Sequence, residues 1–297
     1  MGRLTRHLNS VLTRGPGYEH TPRGPRFDPA SVHGYPIDFT AKTTSPTAAS
    51  PRDLLPAALA QLALGWYERH LAGEEAAADR FRATCDLLAD RAVDDGAALV
   101  WLYHLEDRKY HVPPPTISCL SQAQAASVFL RRHLLDGRQE DADRARRAAR
   151  PLLDDGERTV VARLDEGAAL EEAPSTPPSL ILNGWMYALW GLRELSLALD
   201  DGGAEERYAE SVACLLRLLP RYDVGWWSRY SLYPHRLPDL AKLFYHRLHV
   251  DQLGVMHDLT GEELFRAVAV RWRGYDTTVH RVRLTAQKAR FVASGYR

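Results

Sequence analysis

Residues suited to acid–base chemistry are concentrated between positions 222 and 253 of the chain. This stretch reads YDVGWWSRYSLYPHRLPDLAKLFYHRLHVDQL and is rich in tyrosine, histidine and tryptophan. Gly225 and Pro234 predict a loop in its first half, whereas Tyr245, His249 and Gln252 fall at i, i+4 and i+7 and predict a helix with one polar face. Phenol and imidazole groups carry protons in general acid–base catalysis. The alternative is that these aromatic side chains only fill the interior of the protein.

An acidic pair, Glu171 and Glu172, precedes a second segment of interest, APSTPPSLILNGWMYALWGL. Its prolines preclude helix as far as about Ser179, so the two carboxylates are expected on a rigid connector that enters the next helix. Asn183 and Tyr187 share one face at the start of that helix. Next to a small glycine, the buried amide is suited to bind the polar edge of a ligand. Ordinary helix packing is the alternative explanation.

A third segment, SCLSQAQAAS, places Gln122 and Gln124 in the first turn of another predicted helix. Glutamine side chains donate and accept hydrogen bonds at once, so two of them beside small alanines are suited to bind sugar hydroxyls.

Metal-binding patterns are weak in this sequence. His246 and His249 lie one helical turn apart, but zinc-binding helix pairs more often have i, i+4 spacing with an intervening glutamate. The cysteines, Cys85, Cys119 and Cys214, are widely spaced and match no zinc or redox motif. We therefore expect no metal and no other cofactor.

Taken in order, these segments resemble the C-terminal domain of the D-glucuronyl C5-epimerases. The family pattern has a Ser-x-x-x-Gln-x-Gln helix, then Glu-Glu-Tyr-Pro with Leu-Asn-Gly-x-x-Tyr, then Tyr-Asp-x-Gly and a final Tyr-x-x-His-x-x-x-Gln-Leu type of helix. The matching segments here are SCLSQAQAAS, EEAPSTPPSLILNGWMY, YDVGWWSRYSL and YHRLHVDQL. The segment LPAALAQLALGWYERHL also resembles a family helix that contains proline and glutamine, matched by Pro56 and Gln61. The resemblance covers about residues 52–275.

The resemblance implies an isomerase that removes the proton at C5 of a uronate and returns it on the opposite face, which requires proton carriers on both sides of the ring. Carried over by position, the catalytic residues are Tyr230, Tyr245 and Glu172. Arg229, Arg247 or a protonated histidine would counter the charge of the substrate carboxylate. The predicted substrate-binding residues are Gln61, Gln122, Gln124, Asn183, Tyr187, Arg229, His246 and His249.

One position departs from the family pattern, because Ala173 stands where the family has a tyrosine after the glutamate pair. Tyr187, Tyr233 or Glu172 would then replace that tyrosine as proton carrier. Two alternatives to epimerisation follow. One is another acid–base reaction, either β-elimination of a uronide or proton-initiated isomerisation or cyclisation of a small metabolite. The other is a sugar-binding module without catalysis.

The periodicity of the remaining sequence predicts an all-α fold. Residues 1–50 are expected to form an extended or partly disordered arm, and residues 51–297 one helical domain. After a first helix that begins near Ser50, helices are expected at about 75–92, 119–136, 139–154, 179–200, 204–219, 238–258 and 260–275. The last is predicted to open with a Thr260-x-x-Glu263 capping box. Strand-like alternation is limited to short pieces such as 98–103 and 279–284. Helices paired through short connectors predict an incomplete α/α barrel or toroid.

Composition and charge limit the classes of partner. The chain has 38 basic and 38 acidic residues, so it has no global positive field to attract nucleic acid. The sequence contains no apolar run of secretory or membrane-spanning length. We therefore expect a cytoplasmic protein that binds a small-molecule or oligosaccharide substrate, with no nucleic acid and no membrane span. A homodimer is one arrangement that the sequence allows.

Overall fold

The computed structural model describes residues 22–45, 51–156 and 158–295 of the 297-residue chain. Part of the predicted N-terminal arm, residues 1–21 and 46–50, lies outside the described residues.

The fold is built from helical hairpins joined in series. The first hairpin pairs α1 (Pro56–Leu71) with α2 (Ala77–Asp90), and the second pairs α3 (Cys119–Asp136) with α4 (Gln139–Leu153). The third pairs α5 (Leu182–Leu199) with α6 (Gly202–Leu218), and the fourth pairs α7 (Leu243–Thr260) with α8 (Glu263–Tyr275). A last helix, α9 (Thr278–Ala293), follows the fourth hairpin.

The first helix of each hairpin belongs to an inner layer, in which α1, α3, α5 and α7 pack side by side in that order. The first eleven residues of α5, 182–192, are all buried, so no turn in this part of the helix faces solvent. The outer helices are amphipathic: in α4 the buried face is mostly alanine, and the arginines of the outer face pair with acidic residues. A helix that buries its whole circumference belongs inside such a layer, and one with a single apolar stripe belongs outside. The predicted all-α, incomplete α/α barrel is confirmed.

Short strands supplement the helices. β1 (Val93–Asp94) pairs with β2 (Leu99–Val100), and β3 (Val161–Leu164) pairs with β4 (Gly167–Leu170), both antiparallel. The β3–β4 hairpin was not predicted. The expected strand-like piece at 279–284 is wrong, because these residues lie in α9. Thr277 caps that helix by accepting a hydrogen bond from the His280 backbone N–H.

The predicted capping box at Thr260 is also wrong. α7 continues through Thr260, whose hydroxyl donates to the Met256 carbonyl within the helix, and Gly261 ends α7 in the left-handed conformation. The cap position of α8 is Glu262. A threonine near a helix boundary can bond back to the preceding turn as readily as forward to the next helix, so the motif alone did not decide between them.

Residues 22–45 pack onto the inner helices. Tyr35, Ile37 and Phe39 are buried in the main core, and the backbone N–H of Tyr35 donates to the Glu68 carboxylate on α1 at 2.6 Å. The ring of Phe39 contacts that of Tyr187 on α5. This segment therefore contributes to the interior of the helical body.

The inner helices run in the same direction because each is separated from the next by one outer helix. Their N-terminal ends therefore meet at one mouth of the array, and the loops that precede α3, α5 and α7 lie there. Loops at one end of a helical scaffold commonly carry function. None of the helices in the described residues combines the length and apolarity needed to cross a bilayer.

Candidate active site

A cavity of about 550 Å³ opens at this mouth. Its walls come from the loops that precede α3, α5 and α7, from the start of α7, and from α9. This volume lies within the range typical of small-ligand sites. The side chains in its wall that are able to transfer a proton or bind a charge include Tyr103, Lys109, Glu172, Tyr230, Lys242, Tyr245 and Lys288.

The three residues predicted to be catalytic all line this cavity. Glu172 comes from the connector before α5, Tyr230 from the loop before α7, and Tyr245 from the first turn of α7. The rings of Tyr230 and Tyr245 meet edge to face, with centroids 4.8 Å apart. The structure therefore brings together side chains that are more than 70 residues apart in the sequence.

The carboxylate of Glu172 is held from α5. Asn183 donates from its side-chain amide to Glu172 Oε2 at 3.2 Å. Gly184 leaves room for this contact, since a Cβ at that position would lie 2.2 Å from Glu172 Oε2. Burial raises the pKa of Glu172 to about 7, against the opposing effect of nearby Lys109. A carboxyl group that titrates near neutral pH is suited to both accept and donate a proton.

Tyr230 is fixed through its backbone. Its N–H donates to the Asp239 carbonyl at 2.6 Å, and its carbonyl accepts from the Leu182 N–H at 3.1 Å. Burial, reinforced by the negative charge of Glu172, raises the pKa of Tyr230 well above its ordinary value. Its phenol therefore stays protonated at neutral pH and can act as a hydrogen-bond or proton donor.

Glu171, the other member of the acidic pair, has a structural role. Its carboxylate accepts hydrogen bonds from the backbone N–H groups of Ser179 and Leu180 and from the Ser179 hydroxyl. These bonds fix the proline-rich connector that leads into α5. Adjacent carboxylates thus have different environments, with Glu171 turned to the backbone and Glu172 to the cavity.

The cavity is also lined by lysines that the sequence analysis did not predict. Lys109 Nζ lies 2.5 Å from Asp239 Oδ2 and 4.6 Å from the ring centroid of Tyr230. Lys288 Nζ lies 3.2 Å from Asp239 Oδ1. Asp239 is fully buried, and although burial alone would raise its pKa, the two lysines hold it below its ordinary range. The only available sequence signal was the scarcity of lysine in an arginine-rich chain.

The three predicted glutamines support the framework and do not line the cavity. Gln122 accepts from the Trp101 N–H and donates to the carbonyls of Leu99 and Ala148. Its hydrogen bonds tie β2 to α4 across α3. The glutamines Gln61 and Gln124 bond to each other, from Gln61 Nε2 to Gln124 Oε1 at 3.3 Å. None of the three lines the cavity.

The two predicted histidines lie deeper in the protein. His246 and His249 are fully buried, and both accept or donate a hydrogen bond with the Ser228 hydroxyl. His246 also stacks on Trp227 with ring centroids 3.8 Å apart. Burial lowers the pKa of His246 to about 4, so it is neutral at pH 7 and does not supply the positive charge expected beside a substrate carboxylate.

The remaining predicted binding residues also lie outside the cavity wall. Arg229 is partly buried in the loop before α7, and Arg247 forms an ion pair with Asp276 at 2.8 Å. Tyr187 is buried, with its ring edge to face with Trp190 at 5.1 Å. Asn183 does not line the cavity itself, but its side-chain amide binds the Glu172 carboxylate, which does.

Ala173 lines the cavity beside Glu172. It belongs to a small apolar cluster with Tyr110, Val112, Ile181 and Tyr233. Tyr110 lines the cavity too, and its hydroxyl donates to Asp239 at 3.1 Å. The alanine therefore leaves space in the cavity wall among neighbouring aromatic side chains.

Comparisons with known proteins agree with the sequence motifs. A family model described as D-glucuronyl C5-epimerase C-terminus matches residues 95–274. A D-glucuronyl C5-epimerase of Caenorhabditis elegans is 32% identical over 217 residues, which cover 66% of this chain and 34% of that protein. An uncharacterised protein of Methanocaldococcus jannaschii is 28% identical over 102 residues, covering 34% of this chain and 32% of that protein. The chain thus spans about a third of the length of these relatives.

A solved structure, the cellobiose 2-epimerase of Spirochaeta thermophila, has a similar fold. It superimposes with a TM-score of 0.54 over 75% of this chain and 58% of that one, at 14% sequence identity. At this level of identity the likeness extends to the α/α barrel architecture alone.

Proposed function

The chain belongs to the family of D-glucuronyl C5-epimerase C-terminal domains, and from this premise we propose that it is an isomerase that inverts C5 of a glucuronyl residue. The substrate is a small glucuronide or an oligosaccharide that presents one uronyl unit to the cavity.

The observation that carries the proposal is the convergence of Glu172, Tyr230 and Tyr245 on one cavity. These residues match the catalytic positions that the sequence motifs indicate. They supply two kinds of proton carrier, a carboxyl group with a pKa of about 7 and two phenols, of which that of Tyr230 has its pKa raised by burial. Inversion needs one group to accept a proton while another donates one.

In the proposed reaction, the Glu172 carboxylate accepts the proton at C5. The C5–H bond breaks, and its electron pair moves into the adjoining carboxylate to give an enediolate. Tyr245 then donates its hydroxyl proton to C5 from the opposite face, which restores the C–H bond with inverted configuration. Tyr230, whose ring contacts that of Tyr245, supports the donor side. The reverse reaction uses the same groups in exchanged roles.

Incubation of the protein with a glucuronide in deuterated water is expected to place deuterium at C5. The proton that returns to carbon comes from a group that exchanges with solvent, so each turnover labels the product. Proton NMR would show loss of the H5 signal together with appearance of the C5-inverted uronide.

Ultraviolet absorbance separates this outcome from β-elimination. Elimination begins with the same loss of the C5 proton but leaves an alkene conjugated to the carboxylate, which absorbs ultraviolet light. Absorbance growth without C5 deuterium would favour elimination. Absence of both signals across glucuronides of different length would contradict the proposed function.

Replacing Gly184 with alanine is expected to lower the C5 exchange rate by about 100-fold, because displacement of a catalytic group by about 1 Å can have an effect of this size. The added Cβ would overlap Glu172 Oε2 and Cβ, at 2.2 and 2.6 Å. The exchange rate in deuterated water measures the effect, and circular dichroism confirms that the variant is folded.

Gly254→Ala is the matched control, since Gly254 lies in α7 and a Cβ there has no atom within 4 Å. This control is expected to keep the wild-type rate and to gain up to about 1 kcal/mol in stability from the higher helix propensity of alanine. Equal rates for the Gly184→Ala variant and the wild type would show that the position of Glu172 is not critical.

A further inference from the structure

Lysine is scarce in this chain and concentrated at the cavity. Of the 38 basic residues only Lys42, Lys109, Lys242 and Lys288 are lysines, and the last three line the cavity. Arginine serves almost everywhere else, so these positions favour a side chain with different properties. Lysine carries a compact point charge, whereas arginine carries a broad planar one.

Two of these lysines are held in place by a buried anchor. Asp239 accepts from Lys109 through Oδ2 and from Lys288 through Oδ1, and Oδ2 also accepts from the hydroxyls of Tyr110 and Ser231. Lys288 has only 5% of its surface exposed. Because both carboxylate oxygens are engaged, the two ammonium groups have fixed positions at the cavity wall.

The third lysine comes from a separate element. Lys242 is the residue that precedes α7, three positions before Tyr245. Burial and the nearby positive charge of Lys109 both lower its pKa. Lys242 and Lys109 line the same cavity, so a ligand bound there lies between side chains from two separate elements.

Lys288 reaches the cavity from α9, where Leu284, Lys288 and Phe291 form the buried face. This helix lies beyond residue 274, where the family match ends. The last helix of this chain therefore adds a positive charge to the site that the family motifs do not describe.

The acidic residues of the cavity wall are distributed unevenly. At the exposed rim, Glu106 pairs with Arg108 at 3.0 Å, and Asp107 accepts the backbone N–H groups of Lys109 and Tyr110. In the interior, Lys109 and Lys288 pair with the buried Asp239, and Lys242 and Glu172 line the same cavity. The interior is thus the more positive part of the cavity.

We propose that Lys109, Lys242 and Lys288 form a carboxylate-binding subsite that selects glucuronides over neutral sugars. This inference rests on the proposed function, because the carboxylate it places there is that of the uronyl unit. Bound by ammonium groups beside Glu172 and Tyr245, the carboxylate would have its charge countered where negative charge increases as the C5 proton leaves. Compact ammonium groups allow three cations to approach one carboxylate.

The test is a binding comparison between two glycosides that differ only at C6, 4-nitrophenyl β-D-glucuronide and 4-nitrophenyl β-D-glucoside. Isothermal titration calorimetry would be carried out on the full chain and on the Lys288→Gln, Lys242→Gln and Arg290→Gln variants. Arg290 is exposed on α9 and does not line the cavity, so its variant controls for the loss of one positive charge from the same helix.

We expect the wild type to bind the glucuronide more tightly than the glucoside. Lys288→Gln and Lys242→Gln are each expected to weaken glucuronide binding by about 10- to 100-fold, the effect of losing a charged hydrogen bond. Glucoside binding, and both affinities of Arg290→Gln, should stay at the wild-type values. Circular dichroism checks folding, and because Lys242 is less buried than Lys288, its variant keeps the test decisive if Lys288→Gln does not fold.

Other outcomes separate this inference from the proposed function. Equal wild-type affinities for the two glycosides, no measurable glucuronide binding, or equal weakening of both by the lysine variants would overturn the subsite. Selective glucuronide binding without C5 deuterium would keep the subsite and contradict the epimerase reaction. Incorporation of deuterium at C5 together with wild-type glucuronide affinity in both lysine variants would support the epimerase reaction and contradict the subsite.

Discussion

Tyr245→Phe is expected to lower the rate of C5 deuterium exchange by about 10²- to 10⁴-fold, the usual contribution of a positioned acid or base. The substitution removes one hydroxyl and keeps the ring that contacts Tyr230 and Phe244. Packing should therefore change little, and the melting temperature should stay close to that of the wild type. The measurement is the initial rate of H5 loss by NMR.

Tyr208→Phe is the matched control, because Tyr208 lies in the outer helix α6 and is absent from the cavity wall. This variant should exchange C5 at the wild-type rate. Tyr230→Phe is expected to reduce the rate as well. A fully active Tyr245→Phe variant would remove the assignment of Tyr245 as the proton donor.

Glu172→Gln is expected to have the second large effect, again about 10²- to 10⁴-fold on the exchange rate. Glutamine has nearly the same shape and still accepts a hydrogen bond from Asn183, but it cannot accept a proton from carbon. The variant should bind the glucuronide, so a loss of rate with little change in affinity is the expected pattern. Weakened binding with an unchanged rate at saturation would instead indicate a role in binding.

The dependence of the rate on pH tests the same residue. Burial raises the pKa of Glu172 to about 7 from an ordinary value of 4.5. Only the ionised form accepts the C5 proton, and this form predominates above pH 7. The wild-type rate should therefore fall about tenfold per pH unit below 7. The residual activity of Glu172→Gln should lack this fall.

Glu171→Gln provides a contrast within the same acidic pair. Its amide group would face the backbone donors of Ser179 and Leu180, so the free energy of unfolding should decrease by about 1.5–3 kcal/mol, the usual value of a hydrogen bond to a charged group. The exchange rate per folded molecule should fall far less than in Glu172→Gln. Chemical denaturation and the NMR rate measure the two effects separately.

Local sequence was sufficient to predict much of the helical framework. The i, i+3, i+4 spacing of apolar residues and the proline-rich connector after Glu172 placed α3 and the entry to α5 within a few residues of their observed bounds. Predictions that depended on a boundary were weaker. Thr260 bonds back into α7, and the alternation at 279–284 belongs to a helix whose buried residues lie four and three positions apart.

The sequence by itself determined the helical hairpins and, through short motifs, the acid and phenol residues that meet in the cavity, because periodicity and side-chain chemistry are local properties. Only the tertiary structure decided which polar residues reach that cavity. Gln122, His246 and His249 satisfy buried hydrogen bonds elsewhere, whereas Lys109 and Lys288 converge on Asp239 from distant parts of the chain. A polar side chain in a helical sequence looks the same in either role, and its role is fixed by the partners that folding brings to it.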